Sequence, residues 1–139
     1  MQRADNRRPD GVDDATVEAV GALTEALETT ERARGHLFSF HQLTGKADAE
    51  AQRAVELLRK AGHDELADGL EAELVGRNVI HGRWTFQLVE DYDDGYYRTF
   101  REWERAVRDR LTGGIRHLYE SEMKERNTTP GLPGHELNP

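Results

Sequence analysis

The sequence predicts an all-α fold: an up-down four-helix bundle with three long helices and one short one. Three observations carry that expectation. Apolar residues recur at steps of three and four along most of the 139 residues. No stretch alternates apolar and polar residues as a half-buried strand would. Residues that start and stop helices fall between the apolar stripes.

Asp13 or Asp14 offers the first N-cap, since a carboxylate there accepts from free first-turn amides. The first helix then runs from about Ala15 to Thr44 on the stripe Val20, Leu23, Leu27, Glu31, Arg34, Phe38 and His41. Gly45 suits a left-handed helix end. Asp48 would cap a short second helix carrying Ala51, Val55 and Leu58, which Gly62 ends. Asp64 caps a third helix that reaches about Tyr92 on the stripe Leu70, Leu74, Arg77, His81, Trp84 and Leu88. Asp91 to Gly95 reads as the next turn. The fourth helix starts near Tyr96, carries Phe100, Trp103, Val107 and Leu111, and is interrupted at Gly113–Gly114. Three prolines after Arg126 exclude helix. The expected organisation is a flexible tail over 1–12, a helical domain over 13–126 and a Pro/Gly-rich tail over 127–139.

Helices one, three and four of about 30 residues would each span roughly 45 Å, and the second only half of that. The third and fourth would therefore project as a hairpin that needs a partner. The third helix also carries Val75, Val79, Gly82, Phe86 and Val89 on nearly the opposite side to its main stripe. Apolar residues on two faces imply burial on two faces. The expectation is self-association through this surface, as a two-fold homodimer.

Arg77 and His81 interrupt an apolar stripe at its middle, and Glu31, Arg34 and His41 do the same on the first helix. Such side chains are rarely buried unless paired. Antiparallel pairing through the Asp93–Gly95 turn would set Trp84 beside Glu104, His81 beside Val107 and Arg77 beside Leu111. Within helices, Glu31 and Arg34 are spaced by three residues, and Glu73–Arg77 and Glu104–Arg108 by four, all acid-first. One reading is a buried ion network that fixes helix register. A second is a small-molecule site of Arg77, His81, Trp84 and Glu104, with Arg77 as an anion anchor. A third is a divalent metal held by His41, His81 and Glu104, three ligands with an open position that suit Zn²⁺ or Fe²⁺. A ferritin-like bundle is an analogy of architecture only, because the chain has no Glu-x-x-His pair.

Composition narrows the function classes. A net charge of −8 disfavours a phosphate backbone as partner. The absence of cysteine removes disulfides, thiolate metal sites and cysteine nucleophiles together. Gly-rich phosphate loops and Gly-x-Ser-x-Gly elbows are missing too. No membrane span and no secretory signal is visible, so the expected location is the cytoplasm. The leading expectation is an assembly or interaction protein, and the alternative is a metal- or small-molecule-binding bundle acting as enzyme or carrier.

Overall fold

A computed structural model describes residues 6–139. The fold is all-α, and the described residues form four helical runs. They are α1 (Asp14–Lys60), α2 (Asp64–Glu73), a continuous run of α3 (Thr85–Tyr92), a π-helical turn (Asp93–Tyr97) and α4 (Arg98–Thr112), and finally α5 (Leu118–Asn127). Two runs are long and two are short, where three long and one short were expected. The chain divides into two compact units. Among the described residues, the first comprises 6–31 and 97–139, and the second comprises Arg32–Tyr96.

The expected first and second helices are one helix of 47 residues. Asp13 caps it: its carboxylate accepts the Thr16 amide at 2.8 Å. Hydrogen bonds from Thr16 hold the Asp13 carboxyl below its ordinary range. Gly45 does not end the helix, because the inward-facing seam runs through it as His41, Thr44, Asp48, Ala51, Val55 and Leu58. The helix closes instead at Gly62, with φ +87°. There the His63 amide donates to the Leu58 carbonyl at 2.8 Å and the Gly62 amide to Arg59 at 3.0 Å. These two bonds make a Schellman motif.

In the first unit, Val17, Val20 and Leu118 are buried between α1, α4 and α5. Gly21 permits the close approach of α5, since a Cβ there would lie 2.8 Å from the Tyr119 Cβ. Gly113 (φ +64°) and Gly114 (φ +77°) stop α4 where an interruption was expected. Residues 1–5 of the expected N-terminal tail lie outside the described residues. The part that follows is held: Arg8 forks onto Glu122 with bonds of 2.8 and 3.1 Å and also reaches Asp14 at 2.8 Å. These carboxylates push the Arg8 guanidinium pKa up.

At the other end, the tail after α5 folds into consecutive turns. The Leu132 amide donates to Thr129, and the His135 amide to Leu132. Each turn carries a Pro-Gly pair with positive φ at the glycine, +82° at Gly131 and +85° at Gly134. That is the residue pattern of type II turns.

In the second unit the expected third helix breaks. It is helical over α2, irregular over 74–84, and helical again from Thr85. Two left-handed glycines, Gly76 (φ +74°) and Gly82 (φ +76°), interrupt it. His63 rather than Asp64 occupies the N-cap of α2. Asp48 caps no helix; it accepts the Gly76 amide at 2.8 Å and pins the irregular segment to α1. An isolated bridge joins Ile80 to Arg83. At the start of α3, the Gln87 side chain accepts the Trp84 amide at 2.9 Å, one half of a capping box.

The predicted reversal at Asp93–Gly95 does not exist. Helix continues through it as a π turn, and Asp93 is engaged by Arg34 instead of capping a new helix. The hairpin of helices three and four, and the register it implied for Trp84, His81 and Arg77, go with it. Core residues of this unit are Val55, Ala67 and Val89. Val89 is therefore buried at home and is not part of a free surface, contrary to expectation. No helix among the described residues is long and apolar enough to cross a membrane.

Candidate functional site

The second unit carries a chain of aromatic rings. Phe38 and His41 lie on α1, one turn apart, with ring centroids 6.2 Å apart. His41 meets the edge of Phe86 at 6.5 Å, and Phe86 meets Trp84 at 5.2 Å. The His41 Nδ1 stands 2.6 Å from the Thr85 hydroxyl, which fixes the imidazole in the row. These rings are not a core: Trp84 is 61% exposed, Phe38 43% and Phe86 39%. Val79 and Ile80, from the irregular segment, are exposed as well.

The polar centre expected here is absent from it. Arg77 and His81 lie in the irregular segment and are open to solvent. The stripe that made them look buried is not on a helix, so its periodicity has no face to define. His41 and His81 belong to the second unit and Glu104 to the first, so neither unit holds the three expected metal ligands. The small-molecule set of Arg77, His81, Trp84 and Glu104 is divided in the same way. Of the expected interface, Val75 is half-buried, while Val79, Gly82 and Phe86 are exposed.

A buried polar network does exist, within the first unit. Glu104 is 6% exposed. Its Oε1 accepts Arg108 Nε at 3.0 Å and lies 3.0 Å from the Thr24 hydroxyl. That hydroxyl is also 3.1 Å from the Val20 carbonyl, so its single proton serves one acceptor at a time. Arg108 completes its fork on the Gly114 carbonyl at 3.0 Å. The Glu104–Arg108 spacing of four residues was the sequence signal, and the pair forms. Glu31 belongs to the first unit and Arg34 to the second. Glu31 accepts the Tyr97 hydroxyl, and Arg34 forks onto Asp93 with bonds of 2.6 and 3.0 Å. That fork holds the Asp93 carboxyl below the usual carboxylate range.

Sequence reasoning missed one further group. Glu28 on α1, His117 just before α5 and Glu120 in the first turn of α5 place one donor atom each within 4.8 Å of one another. Their numbers, 28, 117 and 120, carry no spacing motif across α1, so only the packing of Tyr119 on Gly21 reveals them. His117 is also the one non-glycine residue with positive φ (56°) among the described residues. Comparison of the chain with protein-family models, with curated proteins and with solved structures finds no match.

Proposed function

We propose that this protein is an assembly module whose copies pair through the exposed apolar surface of the second unit. The observation that carries this reading is an imbalance within that unit. Three apolar side chains are buried there, whereas eleven of the sixteen large hydrophobic side chains exposed among the described residues belong to it. Contiguous apolar surface left in water marks a contact site. The Trp84–Phe86–His41–Phe38 row supplies large rigid rings of the kind that dominate binding energy when a partner desolvates them.

A second copy is the occupant the rim favours. Arg77, Glu73 and Glu90 are exposed in the same stretch of chain, whereas Arg83 and Asp91 already pair with each other. A two-fold axis sets each rim against itself, and a rim carrying both signs can pair with its own image. A rim of one sign would repel it. The surface proposed is the expected one without Val89, extended to Trp84 and Phe38. The cytoplasm is the compartment this reading assumes.

The test is sedimentation velocity on the wild type, Trp84→Asp and Phe86→Asp. The wild type should sediment at twice the chain mass at about 100 μM, a concentration that populates a dimer of micromolar Kd. Both variants should sediment at the chain mass with unchanged helical circular dichroism, because both side chains are already solvent-exposed. A monomeric wild type, or a Trp84→Asp variant that stays dimeric, overturns the proposal.

A further inference from the structure

We propose that Glu28, His117 and Glu120 form a binding site for one divalent transition-metal ion, independent of the assembly surface. The donor atoms come from two separate segments of the first unit and lie within 4.8 Å of one another. Ligands about 2.1 Å from a tetrahedral Zn²⁺ stand roughly 3.4 Å apart, so closure takes about an ångström of side-chain movement. Glu28 and His117 are exposed and Glu120 is half-buried, so these side chains have room to make it.

The backbone beneath them is held more firmly. Leu118, between His117 and Tyr119, is 4% exposed. Tyr119 packs on Gly21, and Gly21 lies seven residues before Glu28, on the same face of α1. The frame that presents the three donors is thus fixed by apolar packing and not by the donors themselves. None of the three side chains makes a hydrogen bond or ion pair like those that occupy neighbouring Glu104 and Glu122. Two carboxylates brought this close repel each other unless a cation lies between them.

A small cleft with about 10 Å³ of room borders two of the three donors, His117 and Glu120, but not Glu28; Val17, Val20 and Leu118 make its apolar side, and Thr24 and Arg108 its polar one. That is space for one water beside His117 and Glu120. The charge of Arg108 does not oppose an ion there, because Glu104 neutralises it. The N-terminus of α5 does oppose it, with about half a positive charge, but two carboxylates outweigh that. One imidazole nitrogen with two carboxylate oxygens suits Zn²⁺ or Mn²⁺ better than Mg²⁺ or Ca²⁺, which take oxygen-only sets.

The experiment is calorimetric titration of the full chain with ZnCl₂ after EDTA treatment and dialysis. The expected result is one Zn²⁺ per chain, weakened at least about tenfold in Glu28→Gln and in His117→Gln, as loss of a ligand requires. His81→Gln and His135→Gln should bind as the wild type does. Thermal melts in EDTA show whether the two ligand variants stay folded. A second measurement uses the wild type alone: Mn²⁺ should first broaden the amide resonances of Glu28 and of residues 117–121. Absence of Zn²⁺ binding, equal binding by Glu28→Gln, or broadening centred on another histidine overturns the site. Because these donors lie outside the second unit, failure here leaves the assembly proposal standing, and the reverse holds too.

Discussion

A fork of two hydrogen bonds fixes a carboxylate in a way that a single contact does not. Asp93 receives Arg34 at 2.6 and 3.0 Å in a half-buried setting, and its pKa is lowered chiefly by that hydrogen bonding. The sign of the linkage follows. A carboxyl whose folded pKa lies below its unfolded value of about 3.9 adds stability that is complete above that unfolded value. The contribution disappears as pH falls through the folded pKa. Asp93→Asn should therefore cost about 1 kcal/mol or less near pH 6.5, the range of a partly exposed pair. The gap between variant and wild type should narrow below about pH 4, where the unfolded chain takes up the proton first, and close as pH falls through the folded pKa. Urea midpoints at neutral and acid pH measure it, and a gap of the same size at both would show that the ion pair contributes nothing. Arg108 and Glu104 pose a different residue-scale problem. They are more deeply enclosed, and each satisfies the other along with Thr24 and Gly114. Removing one partner there leaves a buried charge, whereas Asp93 can be answered by water.

The length of α1 turns on Gly45. Glycine in a helix interior costs roughly 0.5–1 kcal/mol relative to alanine, while at a left-handed helix end it is favoured. Gly45 has no positive φ, and a Cβ added there meets nothing within 4 Å. Gly45→Ala should therefore stabilise the protein by about 0.5–1 kcal/mol, read as a higher urea midpoint. A loss of stability would mean that the helix ends there, as the local sequence alone suggests. The same residue explains what could be read from the chain beforehand. The all-α class, the Asp13 cap, the stop at Gly62 and the break at Gly113–Gly114 were legible because each has a local cause. Gly45 and Asp48 misled because cap residues and interior residues are the same amino acids. What separates them is whether the seam goes on, and Thr44, Asp48, Ala51 and Val55 continue it. Gly76 and Gly82 misled in the opposite sense: a helical stripe was drawn through two glycines that take left-handed conformations. The buried polar network was legible in part, through the four-residue spacing of Glu104 and Arg108. Of the cluster of Glu28, His117 and Glu120, only the three-residue step from His117 to Glu120 is local; Glu28, about ninety positions away, leaves no trace in the sequence.

At the scale of the whole chain, the acidic, highly charged composition is distributed unevenly in its consequences. The first unit encloses an ion network and apolar contacts among α1, α4 and α5. Each unit buries three apolar side chains, but the second holds most of the large apolar side chains that are exposed among the described residues. Burial of apolar area is the main source of folding free energy, at about 25 cal/mol per Å². A unit that exposes Trp84, Phe86, Phe38, Leu66 and Leu74 forgoes much of it as long as it stays single. If association supplies the remainder, stability must depend on concentration, because mass action favours the state that binds. Raising the protein from about 5 to about 100 μM should then add on the order of 1.8 kcal/mol per dimer, at 1.4 kcal/mol per tenfold. The urea midpoint should rise accordingly, and amide exchange should slow in α2 and α3 more than around Glu104. Trp84→Asp should abolish both effects, leaving midpoints that coincide at the two concentrations. A wild type whose midpoint is already independent of concentration would mean that the exposed rings of the second unit are tolerated by a stable monomer.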